Sequence, residues 1–379
     1  MNLNPIINNF QRPIRKVQIC CILIFSCAAC SLNIPYENQY SDPDAITTVT
    51  AARELLASAY DAIPKPEFSL SVLSDDFQPT FLINLNADLN NLYKWHPKPM
   101  EDLSNSLWEK YYSAIAIANT VLERIHYVSP ISDSDKQELQ CIVSEAKTLK
   151  AYCYFNLLRL FAPTYPEGPE KDGIILKERF ELAFLKRSSI SECVNAIRQL
   201  LTEAVTVDNR PSQVYWFSRQ SAYYLLAALE LYAEEYALKI LSSTNAYDVL
   251  APVHYKKLWE QEPCEECIFS LHTTNSYYTD MNYERKKGDY FTINSTLTQL
   301  YAANDIRYEA TVYPQEMPGE SIGETLPVLY LGKYNKQNWN YKPIQYINKL
   351  RVSGICFILA EAYCQDQKGH DALALEVIN

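Results

Sequence analysis

The segment SDKQELQCIVSEAKTLKAYCYFNLLRL, residues 134–160, decides how the chain is read. Ile142, Ala146, Leu149, Cys153 and Leu160 recur at helical steps, so they share one face of a long amphipathic helix. Ser134-Asp135-Lys136-Gln137 opens it as a capping box, and Pro163 stops it. Similar helices lie on both sides. Ala51, Leu55, Ala59 and Ile63 step by four along 45–63, ahead of Pro64 and Pro66. Trp108, Tyr112, Ile115, Asn119 and Leu122 form one stripe within 103–127. Two further helices are predicted at 188–205 and 218–241, the latter with Ala222, Ala227, Ala228 and Ala233 for close helix approach. Paired helices of this length predict a mainly α, tetratricopeptide-like scaffold, although no strict repeat of roughly 34 residues is visible.

From 242 to 349 the helical period fades among Asn, Tyr, Lys and Pro, with short strand candidates at 268–271 and 328–331. Eleven of the 29 Tyr fall between Tyr277 and Tyr346, together with Phe291 and Trp339. Aromatics on irregular loops, outside any packing period, point to a recognition surface. Helices return at 351–365 and near His370. The chain carries 34 basic and 45 acidic side chains, a net charge of −11, which argues against a nucleic-acid binder. Only 8 Gly are present, too few for a Gly-rich phosphate-binding fold.

At the N-terminus, Arg12, Arg15 and Lys16 precede the apolar run 17–29, and no acidic residue occurs before Glu37. That run is too short to remain a membrane-spanning helix and reads as a signal peptide, 1–29. It ends Cys27-Ala28-Ala29-Cys30, small residues before a cysteine, as in a bacterial lipoprotein. Cys30 is the expected lipidated N-terminus; Cys27, behind bulky Phe25, is the competing acceptor.

Cys141, Cys153, Cys193, Cys356 and Cys364 sit in apolar helical patterns, where a free Cys acts as a small hydrophobe. Cys264-Glu265-Glu266-Cys267 is the one suggestive pair, open to a local disulfide or, with His254 and His272, a zinc site. The favoured expectation is plain cysteines, no metal and no cofactor. Gly319-Glu320-Ser321-Ile322-Gly323 matches the hydrolase elbow as a string, but loop is predicted on both sides instead of strand and helix. The carboxylate pairs Asp75-Asp76 and Glu265-Glu266 are sequence neighbours, which ordinarily point apart, and they make a poor case for a glycosidase.

The order of these features resembles the SusD/RagB family of Bacteroidetes outer-membrane proteins. The lipoprotein cysteine is followed by Ser31-Leu32-Asn33-Ile34-Pro35-Tyr36, then Leu73-Ser74-Asp75-Asp76 and Trp108-Glu109-Lys110-Tyr111-Tyr112. The sharpest match is Glu145-Ala146-Lys147-Thr148-Leu149-Lys150-Ala151-Tyr152-Cys153-Tyr154-Phe155, with Tyr165-Pro166 and Gly173-Ile174 after it. Asn304-Asp305-Ile306-Arg307, Gly332-Lys333-Tyr334 and the run from Arg351 follow in order. Lys150 stands where the family usually has Arg, and Ala162 where it has Gly. The resemblance implies one SusD-like domain, 30–379: a helical scaffold to 241, a loop-rich binding region 242–349, and returning helices that stop short of the family's length, as in a truncated chain. It implies a non-catalytic, lipid-anchored surface protein that captures an oligosaccharide or peptide as the lid of a SusC-like TonB-dependent transporter. Neutral sugars need ring faces and amides, so Trp95, Asn90, Tyr277, Tyr278, Tyr283 and Trp339 are the candidate ligand residues. A scaffold lipoprotein that binds a protein partner, or a surface glycosidase, is the alternative.

Overall fold

Each predicted helix forms, with its ends set by local chemistry. In the computed structural model, α1 is Val49–Ala62; Thr48 caps it by accepting the Ala51 N–H, and it stops before Pro64. The stripe around Trp108 lies on α4, Pro97–Arg124, which begins earlier than its apolar spacing predicts because Pro97 occupies the first helical position. The segment 134–160 lies in α5, Asp133–Phe161. Its capping box is Ser132 with Asp135, not Ser134 with Gln137: Asp135 Oδ2 accepts the Ser132 N–H and Ser132 Oγ accepts the Asp135 N–H. A carboxylate at the third position also suits the positive end of the helix. Helix α6 is Ile190–Ala204 and α7 is Arg219–Tyr232, capped by Ser189 and Ser218; α7 stops at its C-cap Ala233, short of the predicted 241, and 235–241 lie outside the described residues.

Between α1 and α4 lie α2 (Glu67–Val72), strand β1 (Phe77–Pro79) and α3 (Ala87–Tyr93). After α7 come α8 (Pro252–Trp259), β2 (Cys267–His272), β3 (Phe291–Ile293), α9 (Ser295–Gln299) and α10 (Ile306–Thr311). Then follow β4 (Val312–Pro318), β5 (Thr325–Leu331), β6 (Tyr346–Arg351), α11 (Val352–Gln365) and α12 (Asp371–Ile378). The structure describes residues 46–179, 184–234, 252–260, 262–272, 290–319, 321, 323–331, 346–365 and 369–378. Residues 46–379 form one compact unit.

Helices α1, α4, α5, α6 and α7 pack in succession, and α7 meets α11, which packs on α12. Their shared core includes Leu56, Tyr111, Ile115, Ile142, Leu149 and Leu157, all fully buried. Leu160, predicted on the same face of α5, is instead 39% exposed, while Leu157, Leu158 and Phe161 carry the packing of that last turn. Cys153 and Cys193 are buried as expected of small hydrophobes, whereas Cys364 is exposed. The strands make three antiparallel two-stranded ribbons, β1 with β3, β2 with β6, and β4 with β5.

Two tyrosine hydroxyls take the place of a strand partner for the segment after α5. Tyr112 Oη accepts the Ile175 N–H (2.9 Å) and donates to the Ile175 carbonyl (2.8 Å). Tyr154 Oη does the same for Lys177, both at 2.7 Å, and Asn119 Nδ2 adds a bond to the Lys177 carbonyl. Gly173 is required here: a Cβ would lie 2.8 Å from Cys193 Sγ and 3.0 Å from the Ser188 carbonyl oxygen. Lys150 is buried with its ammonium 5.7 Å from the Tyr154 ring, and burial lowers its pKa to about 8.

The polar centre of the scaffold is Glu145, 1% exposed on α5. Its carboxylate accepts Arg53 Nη1 (2.8 Å) and Tyr60 Oη (3.2 Å) from α1, and Asn209 Nδ2 (3.3 Å) from the loop after α6. Burial still raises the Glu145 pKa, against the pull of Arg53 and the other donors. Removing Arg53 leaves that charge uncompensated, so Arg53→Ala should cost about 3–5 kcal/mol near neutral pH. A raised carboxyl pKa penalises the ionised form, so stability falls as pH climbs from the unfolded pKa through the folded one. Arg53→Ala lifts the folded pKa further. Urea unfolding of both proteins should therefore show the smallest difference at acid pH and a growing one as pH rises.

Candidate functional site

A second, smaller core supports the site. Val72, Phe77, Ile83, Leu92 and Phe291 bury one another, with Phe68 and Tyr93 packed against them. Phe77 and Phe291 stack at 5.7 Å, and Tyr93 lies 5.9 Å from Phe291. The pairing of β1 with β3, Phe77 opposite Ile293 and Pro79 opposite Phe291, closes this core from the far part of the chain.

On it sits α3, within 84–99, a stretch whose residues show no helical or strand period in the sequence. Asn86 caps the helix by accepting the Leu89 N–H, and Lys94 ends it. The Trp95 N–H then bonds the Leu92 carbonyl and the His96 N–H bonds the Asn91 carbonyl, both at 2.9 Å. These two bonds make a Schellman motif, whose left-handed position glycine normally fills. Here that residue is Trp95, at φ +58°, with its side chain 61% exposed. Asn90, one turn earlier on α3, donates from Nδ2 to Asn84 Oδ1 at 3.3 Å. Asn90 is the middle residue of α3, and Trp95 lies just beyond its C-terminal end. Tyr277, Tyr278, Tyr283, Trp339 and Cys30 lie outside the described residues.

The ends of both aromatic segments are described. Residues 273–289, with the three tyrosines, leave β2 at His272 and return at Tyr290, beside the small core. Residues 332–345, with Trp339, enter β6 at Tyr346, and Tyr346 pairs directly with His272. Tyr215 joins them there, stacked on Tyr346 (6.2 Å, 10°) and 5.5 Å from His272. Trp216 follows at 5.6 Å from Tyr215, beside a groove of about 710 Å³ lined by Arg53, Glu138, Asp208 and Arg210. Sequence reasoning missed Tyr215 and Trp216, for which the run Tyr215-Trp216-Phe217 between two helices was the available signal; it weighed His272 as a zinc ligand and Tyr346 as one of the loop tyrosines. Lys349 of β6 is buried and paired with Glu67 of α2, tying the ribbon to the small core. Burial and nearby Lys65 lower the Lys349 pKa to about 7.

The alternative chemistries are placed as follows. Gly319 N–H bonds the Glu324 carbonyl at 2.8 Å between β4 and β5, so the elbow-like string is flanked by paired strands where loop is predicted on both sides, and β5, not the helix that an elbow needs, follows it. Glu266 is buried on Ser353 while Glu265 is exposed, and Asp75 and Asp76 are both exposed. Cys267 and His272 stand at opposite ends of β2, about 16 Å apart, so the four-residue zinc cluster does not assemble. Among the described residues no group of three or more His, Cys, Asp or Glu converges on a metal position.

A tryptophan at a left-handed position costs about 1–2 kcal/mol of backbone energy that glycine avoids. Trp95→Gly should therefore leave stability unchanged or raise it by about 1 kcal/mol in urea unfolding. A loss above about 2 kcal/mol would show that the ring is there for packing.

Compared with known families, residues 35–231 match a SusD-like family described as starch-binding, associating with outer membrane. A sequence comparison with curated proteins gives no match. A SusD superfamily protein from Bacteroides thetaiotaomicron superposes with a TM-score of 0.72 at 19% identity, covering 87% of this chain and 79% of that one. A SusD superfamily protein from Bacteroides vulgatus gives 0.69 at 19% identity, over 88% and 79%. Surface glycan-binding protein A from Bacteroides uniformis gives 0.64 at 15%, over 87% and 80%. The family match spans more than half of the residues, and the helical fold agrees along nearly all of the described chain: this protein belongs to the SusD-like family.

Proposed function

We propose that this chain is a non-catalytic, lipid-anchored glycan-binding protein of the outer-membrane surface. It captures an oligosaccharide and passes it to a SusC-like TonB-dependent transporter, over which it acts as the lid. The observation that carries the binding role is Trp95, a large exposed ring on a strained backbone at the end of a helix that packs on the small aromatic core. A sugar presents a C–H face to such a ring and hydroxyls to neighbouring amides, which Asn90 supplies. Strain kept at an exposed residue fits a functional position better than a packing one. The family's description as starch-binding, associating with outer membrane, supports both ligand class and location. Tyr277, Tyr278, Tyr283 and Trp339 complete the surface in this proposal, since 273–289 run from β2 to the small core and 332–345 run from β5 into β6 opposite His272. Cys30 carries the lipid.

Calorimetry against maltoheptaose, then xylan and β-glucan oligosaccharides, tests the binding role. Trp95→Gly should weaken the productive ligand by about 1–3 kcal/mol. Unchanged affinity would remove Trp95 from the site, and an absence of glycan binding alongside peptide binding would replace the ligand class. Recovery of a large TonB-dependent barrel with the detergent-solubilised protein tests the partner. Cys30→Ala should move the protein out of the membrane fraction; retention with normal signal processing would sink the anchor.

A further inference from the structure

Cys264 and Cys267 are the first and last residues of a turn. The Cys267 N–H bonds the Cys264 carbonyl at 3.4 Å, closing a four-residue turn whose last residue opens β2 opposite Arg351. A closed β-turn keeps its end Cα atoms within about 7 Å, which overlaps the window of about 4.4–6.8 Å that a disulfide spans. Both thiols are only half-buried. Cys267 Sγ lies 3.0 Å from Ser270 Oγ, which also donates to Asn348 Oδ1 at 2.7 Å. Turning Cys267 toward Cys264 therefore leaves neither Ser270 nor Asn348 without a partner.

We propose that Cys264 and Cys267 are a disulfide-forming pair, closed by thiol–disulfide exchange with an external disulfide. The Cys264 thiolate attacks one sulfur of that disulfide, giving a mixed disulfide and releasing one thiol. The Cys267 thiolate then attacks Cys264 Sγ, the intramolecular bond forms, and the second thiol leaves. Two electrons and two protons pass from the pair to the oxidant, which becomes two thiols. The bond staples the turn that positions Glu266, whose carboxylate accepts Ser353 Oγ (2.6 Å) and whose carbonyl accepts the Val352 N–H (3.0 Å) at the start of α11. It thereby fixes the base of the ribbon whose other end carries His272 and Tyr346. Burial raises both thiol pKa values, that of Cys267 to about 11, so closure is slow at neutral pH.

The geometry is independent of the surface location proposed above, and two measurements separate them. The purified chain is equilibrated in oxidised and reduced glutathione, alkylated and mapped by mass spectrometry. The expected product is about 2 Da lighter, links Cys264 to Cys267, and loses two alkylation sites. Its formation should quicken roughly tenfold per pH unit below the thiol pKa values. Cys264→Ser should abolish that product. Single glutathione adducts, or free thiols at every ratio, would overturn the pairing. Protein extracted from cells with its thiols trapped at lysis should already carry the bond; a reduced pair there, despite closure in glutathione, would overturn it as a native disulfide without touching the glycan-binding proposal.

Discussion

A single buried carboxylate holds the molecule's two halves in register. Glu145 receives Arg53 and Tyr60 from α1 and Asn209 from the loop after α6. Asn209 Nδ2 also holds the Phe217 carbonyl at 2.9 Å, and Tyr60 Oη accepts the Phe217 N–H at 2.8 Å. Phe217 in turn stacks on Phe269 of β2, with centroids 3.9 Å apart. The Ser270 N–H bonds the Val214 carbonyl alongside. A continuous line thus runs from the scaffold's most buried charge to the ribbon from which both aromatic segments spring. An apolar side chain at 145 would fill the space, yet it would fix neither the rotation of α1 nor the path of the 209–217 loop. Hydrogen bonds supply that direction, which the non-directional hydrophobic effect does not.

Much of the scaffold is legible in the sequence because a helix writes its burial locally. Ile142, Ala146, Leu149 and Cys153 are buried as their spacing predicts, and the helices end near the prolines that mark them. The errors at helix starts are small and have chemical causes: Ser132 competes with Ser134 as the cap, and Pro97 starts a helix from within apparent loop. The small core is different in kind. Strands β1 and β3 are three residues each and lie more than two hundred residues apart, too short to show alternation and too distant for any turn signal. Nor does a period announce α3, since its seven residues hold fewer than two turns of apolar repeat. Trp95 was legible as an aromatic outside a packing period, but its left-handed backbone was not, because sequence marks that conformation by glycine.

Among the described residues, two helices end on a residue other than glycine in the left-handed region, and the two differ in a telling way. Helix α7 stops at Glu234, φ +56°, with its N–H on the Leu231 carbonyl, the same inner bond that Trp95 makes to Leu92. Both positions carry the backbone cost that glycine would avoid. Glutamate adds no further cost, since its charged end belongs in water. Tryptophan adds a second one, a large apolar ring kept in solvent. Among the described residues no aromatic ring or cation packs on Trp95, whereas Trp108, Trp216 and Trp259 each have a ring and a guanidinium against them. Among the described residues neither ring nor cation offsets these costs at Trp95. In the proposed binding role a ligand contact would offset the second, and the Schellman bonds, by fixing the backbone beforehand, would reduce the ordering entropy that such a contact must overcome.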